Sequence, residues 1–88
     1  MAYKTYNVKS DEKTSYYTVR YDGRIYIYID FREACEKDFA IDNLVISDAQ
    51  ITELEKSANI SYEIKDGKIC AVMEDGAYGY LVLCVNEL

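Results

Sequence analysis

The sequence predicts a single α+β domain, residues 1–88, with two short helices packed on an antiparallel β-sheet of about five or six strands. Three observations support this fold class. The chain has 88 residues, which is too few for two hydrophobic cores. Two Asp-Gly pairs separate runs of β-branched and aromatic residues, as in β-hairpins. Two other segments combine helix-capping residues with a helical spacing of apolar residues.

The N-terminal third of the chain predicts three strands. The first is Tyr3–Lys9. Thr14–Tyr21 and Arg24–Ile29 follow as a hairpin whose turn contains Asp22 and Gly23. All three runs are rich in tyrosine, isoleucine, valine and threonine, which favour strands.

The hydrophobic pattern chooses between two forms of that turn. A two-residue turn would place the alternating isoleucines of the second strand opposite polar residues of the first. A three-residue turn, with Gly23 in a left-handed bulge position, pairs Val19 with Ile25 and Tyr17 with Ile27. Because the second form unites the apolar side chains, we predict the bulged turn. The opposite face of the hairpin then carries Tyr16, Thr18, Arg20, Arg24, Tyr26 and Tyr28.

Two helices are predicted in the middle of the chain. The first begins at Asp30, and Glu33 lies three residues on, as in a capping box. The second begins at Ser47, after a short extended stretch at residues 44–46. Apolar residues at helical spacing would line the buried sides of these helices: Phe31, Ala34, Cys35 and Phe39 in the first, and Ile51, Leu54 and Ala58 in the second.

The C-terminal third predicts a second hairpin and a final strand. Ile60–Lys65 and Lys68–Met73 flank the turn residues Asp66 and Gly67. The last strand, Tyr78–Val85, is apolar on both faces, which is typical of a central strand. The predicted order is therefore β-β-β-α-(β)-α-β-β-β.

The composition lacks the usual equipment of an enzyme. The chain has no histidine, the commonest general acid or base. Its four glycines stand singly, so it contains neither a phosphate-binding loop nor a dinucleotide-binding fingerprint. Three scattered cysteines without histidine do not readily form a zinc site. The sequence therefore predicts a protein without catalytic residues, metal or cofactor, and with buried, reduced thiols at Cys35, Cys70 and Cys84.

Acidic residues are concentrated in the middle of the chain. Residues 30–55 hold eight acids against two bases, half of the 16 carboxylates in the sequence. One interpretation is a solvated helix face, because Asp30 and Asp48 suit helix N-termini and other acids could pair with bases one turn away. The other is an array of carboxylates that imitates nucleic-acid phosphates, centred on Glu33, Glu36, Asp38 and Asp42.

Tyrosines are concentrated at the N-terminal end, where seven of the 10 fall in the first 28 residues. Half-buried packing on a sheet is one interpretation of this enrichment. An exposed face of tyrosine and arginine also has the composition of interface hot spots. The residues of this face that we predict to contact a partner are Tyr16, Arg20, Arg24, Tyr26 and Tyr28.

The charge predicts the kind of partner. A net charge of −6 attracts basic protein surfaces and repels free nucleic acid and anionic membranes. We therefore expect a non-enzymatic, cytoplasmic inhibitor that binds and blocks a basic, nucleic-acid-binding surface of a partner protein. In size, charge and lack of catalytic residues the chain resembles the small acidic inhibitors that phages encode against bacterial defence nucleases, such as anti-CRISPR proteins. That resemblance involves no shared motif, and it implies action in the host cytoplasm.

Two alternatives use the same tyrosine-rich face. One is a structural or assembly domain that pairs with itself as a homodimer. The other is a binder of single-stranded nucleic acid, in which bases stack on the tyrosines. The net negative charge disfavours the second alternative, because few lysine or arginine residues surround the aromatic residues.

Overall fold

The protein is described by a computed structural model over residues 4–10, 14–32, 35–41, 44–74 and 78–87. These residues form eight β-strands and one short 3-10 turn, and they contain no α-helix. The strands are β1 (Lys4–Ser10), β2 (Thr14–Tyr21), β3 (Arg24–Phe31), β4 (Cys35–Phe39), β5 (Ile51–Lys56), β6 (Ile60–Lys65), β7 (Lys68–Met73) and β8 (Gly79–Asn86), and the 3-10 turn spans Asp48–Gln50.

The strands form two antiparallel sheets. The larger has the order β1-β2-β3-β8-β5, and the smaller has the order β4-β7-β6. Period-two alternation gives each sheet one apolar face, as in the buried isoleucines of β3. One cluster of buried side chains contains residues of both sheets and forms the core: Ile25, Ile27, Ile29, Phe31, Ile41, Ile46, Ile60, Ile69, Ala71, Met73, Leu81, Leu83 and Val85.

The predicted α+β class is wrong, because both predicted helices fall on strands. Asp30 and Phe31 are the last residues of β3. Phe31 is fully buried and continues the alternating pattern of the preceding isoleucines, so period two overrides the capping signal of Asp30. Residues 35–39 form β4, which pairs with β7. The capping partner predicted at Glu33 lies outside the described residues.

The second predicted helix is reduced to one turn. Ser47 and Gln50 form the expected local contact, since the Ser47 N–H donates to Gln50 Oε1 at 2.9 Å. The chain then extends as β5, which pairs with β8. Leu54 is 51% exposed, although the helical pattern predicted it to be buried. Long-range pairing decides the outcome here, because without β5 the apolar strand β8 would be an unpaired edge.

The predicted bulged turn of the first hairpin is also wrong. Tyr21 lies opposite Arg24, so the loop has two residues, and Arg20 lies opposite Ile25. Both loop residues are left-handed, with φ of 53° at Asp22 and 75° at Gly23. Asp-Gly suits this type I′ geometry, whose twist matches that of the flanking strands. The second hairpin has the same loop, with φ of 53° and 75° at its Asp-Gly pair.

The bounds of three predicted strands and the interior position of the last strand are confirmed. β2, β6 and β7 have the predicted bounds. β8 lies between β3 and β5, so it is an interior strand of the larger sheet. The described residues include no helix that is long and apolar enough to cross a membrane.

Candidate functional site

The larger sheet has an outer face, turned away from the core, that is rich in tyrosine. Alternation from the buried isoleucines of β3 assigns the outward positions, and the pairings of β2, β3 and β8 carry them across the sheet. This outer face carries Tyr17, Val19, Tyr21, Arg24, Tyr26, Tyr28, Asp30, Tyr80, Val82 and Cys84.

Three of these tyrosines form a stack across neighbouring strands. Tyr17 of β2 lies opposite Tyr28 of β3, with ring centroids 5.4 Å apart and ring planes 24° from parallel. Tyr28 also stacks on Tyr80 of β8, with centroids 6.4 Å apart and planes 7° from parallel. We call these three residues the tyrosine stack. Tyr28 is its middle member, and Tyr17 is 40% exposed.

Two carboxylates border the tyrosine stack, and tyrosine hydroxyls hold both of them. The Tyr80 hydroxyl donates to Glu55 Oε1 at 2.5 Å. The hydroxyl of Tyr78, a residue 63% exposed, donates to Asp30 Oδ1 at 3.3 Å. Among the described residues neither carboxylate forms an ion pair with lysine or arginine.

An irregularity in β5 places Glu55 at this border. Glu53 lies opposite Leu83, whereas Glu55 lies opposite Val82, so the register shifts between them. In a regular strand, two residues two positions apart share a face; the bulge separates them. Glu53 instead hydrogen-bonds to Tyr62 of the smaller sheet. The bulge thus directs one glutamate to each side of the larger sheet.

The environment favours the protonated form of Tyr28 and Tyr80. Burial and the negative charge of Asp30, to which Tyr28 also hydrogen-bonds, raise the pKa of Tyr28 from 10.0 to about 12. The hydrogen bond to Glu55 is the main cause that raises the pKa of Tyr80. Neutral hydroxyls are hydrogen-bond donors, so the arrangement fixes the carboxylates without neutralising their charge.

The structure divides the predicted aromatic face. Arg24, Tyr26 and Tyr28 lie on the outer face of the larger sheet. A hydrogen bond with Tyr26 raises the pKa of the Arg24 guanidinium. Tyr16 lies on the opposite side and packs against the core, and Arg20 lies on that side too, where it pairs with Glu87.

The structure places two members of the predicted acidic array, Glu36 and Asp38, two positions apart in β4. Asp38 is on the outward side of the smaller sheet, opposite Cys70. Glu36 lies in β4 opposite Val72, and Glu33 and Asp42 fall outside the described ranges. The other placed acids of residues 30–55 are elsewhere: Asp30 and Glu55 beside the tyrosine stack, and Asp48 and Glu53 near Tyr62.

A shallow hollow of about 380 Å³ lies on the outward side of the smaller sheet. Asp38, Cys70 and Glu63 form a row across it. The hydrogen bond with Asp38 is the main cause that raises the pKa of the Cys70 thiol, which opposes formation of a nucleophilic thiolate. The described residues contain no group of three or more cysteine or acidic side chains that could hold a metal ion.

The prediction that all three thiols are buried is only partly confirmed. Cys84 is buried, whereas Cys70 is half-buried. Cys70 alternates with the buried residues Ile69 and Ala71 of β7, so it points away from the core. The prediction for Cys35 concerns a side chain outside the described set.

Sequence reasoning missed most of this site. The register predicted for the first hairpin places Tyr17 on the core face. The predicted partner contacts also omit Asp30, Glu55, Tyr78 and Tyr80. Two signals could have found part of it. The type I′ preference of Asp-Gly would have turned Tyr17 outward, and the alternation in the last strand places two tyrosines on one face. The missed residues are Tyr17, Asp30, Glu55, Tyr78 and Tyr80.

The chain has no detectable similarity to known proteins that would assign a function to this surface. No protein-family model matches it, and no curated protein or solved structure is significantly similar to it.

Proposed function

We propose that this protein is a non-enzymatic binding module that blocks a basic, nucleic-acid-binding surface of a partner protein. The observation that carries the proposal is the tyrosine stack on an outward sheet face, bordered by Asp30 and Glu55. In this proposal those two carboxylates replace the acids that the sequence suggested as the contact, which are Glu33, Glu36, Asp38 and Asp42.

The aromatic part of the surface supports protein binding. Tyrosine is enriched in interface hot spots because its ring buries a large area at a low cost in side-chain entropy. In this chain, stacking already restricts the three rings before a partner arrives. A surface that is ordered in advance loses less entropy on association.

The charges on this surface support a basic partner. Among the described residues, Asp30 and Glu55 accept hydrogen bonds from phenols, and neither carboxylate forms an ion pair with lysine or arginine. The chain as a whole carries a net charge of −6, which accelerates encounter with a positive surface. The same two carboxylates would repel the phosphates of nucleic acid, so direct nucleic-acid binding is the weaker alternative.

A capture experiment with a matched control tests the proposal. The protein is immobilised and exposed to a lysate of its host, and bound proteins are identified by mass spectrometry. The test variant is Asp30→Asn/Glu55→Gln, beside the tyrosine stack. The control is Asp38→Asn/Glu63→Gln, on the smaller sheet. Each double variant changes the formal net charge from −6 to −4, since two acids become neutral.

The expected result is a basic nucleic-acid-binding protein that is captured by the wild type and the control but lost with the test variant. Its association should slow as salt rises, because steering charges are screened. Equal loss of capture with both variants would show that only the total charge matters and would reject the tyrosine stack as the binding surface. Sedimentation at several concentrations tests the self-association alternative: a dimer that Tyr28→Ala dissociates would favour that alternative.

The proposed biological setting rests on the resemblance in size, charge and lack of catalytic residues to the small acidic inhibitors that phages encode. An acidic module that occupies a nucleic-acid-binding surface would act as an inhibitor of the anti-CRISPR kind, in the cytoplasm of a phage-infected host. Capture of a defence nuclease, together with restored activity of that nuclease when the test variant replaces the wild type, would support this setting. Capture of basic proteins without any nuclease would reject it.

A further inference from the structure

We infer that the tyrosine stack recognises arginine, in preference to lysine, on the basic partner. This inference rests on the proposed function and specifies which basic side chain of the partner the surface binds. The relevant geometry is a row of nearly parallel aromatic rings with carboxylates at its border.

The shape of the tyrosine stack favours a flat cation. Its ring planes deviate from parallel by 24° between Tyr17 and Tyr28 and by 7° between Tyr28 and Tyr80, so the three ring planes have similar orientations. A guanidinium is planar and stacks on such a face, with an attraction from the ring quadrupole. An ammonium group is compact and strongly hydrated, so it gains less from the same face.

The carboxylates complete the site for a guanidinium. Tyr80 belongs to the stack, and its hydroxyl binds Glu55, so this carboxylate is adjacent to an aromatic ring. Asp30 lies opposite Tyr80 in the pairing of β3 with β8. A carboxylate accepts several hydrogen bonds, so each retains capacity after binding a tyrosine hydroxyl. The five N–H donors of arginine can reach a carboxylate while the plane of the group stays on a ring.

Titration with three synthetic peptides of equal length tests this inference. They are oligo-arginine, oligo-lysine and oligo-citrulline, and citrulline keeps the planar shape of arginine without its charge. We expect oligo-arginine to bind with a Kd about two- to five-fold lower than oligo-lysine, as a stacked cation at an exposed site would give. Oligo-citrulline should not bind detectably, because it is neutral and cannot form an ion pair with Asp30 or Glu55.

Variants separate the contribution of the aromatic rings to binding from that of the carboxylates. Tyr17→Leu/Tyr80→Leu should abolish the preference for arginine and leave weak binding of both basic peptides. Tyr80→Phe removes only the hydroxyl that binds Glu55, so the binding of both basic peptides should weaken while the preference for arginine remains. Asp30→Asn/Glu55→Gln should weaken the binding of both basic peptides. Asp38→Asn/Glu63→Gln should leave the preference for arginine intact.

The outcomes distinguish this inference from the proposed function. Equal binding of arginine and lysine peptides, both lost in Asp30→Asn/Glu55→Gln, would overturn the arginine preference and leave the basic-partner proposal standing. Absence of binding by either basic peptide would also overturn the inference, and the capture experiment would then judge the proposed function separately. Binding of oligo-citrulline as tight as that of oligo-arginine would overturn both.

Discussion

Arg20 and Glu87 form an ion pair at the hairpin end of the larger sheet, with Arg20 Nη1 2.6 Å from Glu87 Oε2. Glu87 follows the last residue of β8, and its N–H donates to the Gly23 carbonyl at 2.8 Å. Both contacts tie the C-terminal end of β8 to the first hairpin. Arg20, which the sequence suggested as a partner contact, therefore contributes to the fold.

Replacing Glu87 should have a small effect on stability. The side chains of Arg20 and Glu87 are 27% and 35% exposed, so water competes for the pair. We expect Glu87→Gln to lower the free energy of unfolding by less than about 1 kcal/mol, and the loss to shrink at high salt. Urea unfolding at two salt concentrations measures it. Glu74→Gln, at another exposed acid, controls for the change in net charge, and a loss of several kcal/mol would contradict the prediction.

Two leucines distinguish the observed fold from the predicted helix. Leu54 is 51% exposed on β5, whereas Leu83 is fully buried on β8. We expect Leu54→Ala to change the free energy of unfolding by no more than about 0.5 kcal/mol. Leu83→Ala removes core contacts and should cost about 2–5 kcal/mol. Urea unfolding compares the two variants directly. A large loss for Leu54→Ala would restore the helical interpretation of this segment.

The elements that were predictable depend on neighbours in the sequence. Ile60–Lys65 and Lys68–Met73 have the predicted bounds, because the alternation and the Asp-Gly turn between them are local signals. The predicted helices are wrong because the structure of those segments depends on contacts that are distant in sequence. Ser47 and Gln50 form the local contact that the capping pattern predicts, but pairing of the following residues with β8 is long-range and is not visible in the pattern.

The candidate site was less predictable than the strands. Its members come from the hairpin of β2 and β3 and from β5 and β8, which are distant from that hairpin in sequence and meet it only in the sheet. The contact between Tyr80 and Glu55 also depends on the bulge in β5, without which Glu55 would share a face with Glu53. A single-residue change of register therefore decides whether Glu55 lies beside the tyrosine stack. Composition alone indicated only that tyrosine and acid would be used.

The thiol of Cys70 should become more reactive when Asp38 is neutralised. Its hydrogen bond with Asp38 raises the pKa of Cys70, so little thiolate forms at neutral pH. We expect Asp38→Asn to increase the alkylation rate of Cys70 several-fold at neutral pH. Mass spectrometry of the labelled peptide separates this thiol from the others, and Glu74→Gln serves as the control. An unchanged rate would show that Asp38 does not control the thiol.

Ionisation of Tyr28 should make stability depend on alkaline pH. Burial and the charge of Asp30 raise the pKa of this phenol from 10.0 to about 12 in the folded chain. Between these values the unfolded chain loses the proton and the folded chain keeps it. The contribution of Tyr28 is therefore fully present below pH 10.0 and is lost as the pH rises towards about 12. Tyr62 and Tyr80, whose pKa values are also raised, act in the same direction.

Phenolate absorbance, compared between the wild type and Tyr28→Phe, isolates the titration of Tyr28. We expect a late-titrating phenol in the wild type that Tyr28→Phe removes. Asp30→Asn should shift that titration towards lower pH, because it removes the nearby negative charge while burial of the ring remains. Asp38→Asn, on the smaller sheet, should leave it unchanged. Identical curves for wild type and Asp30→Asn would mean that Asp30 does not act on the tyrosine stack, and the basis for cation recognition at this carboxylate would be lost.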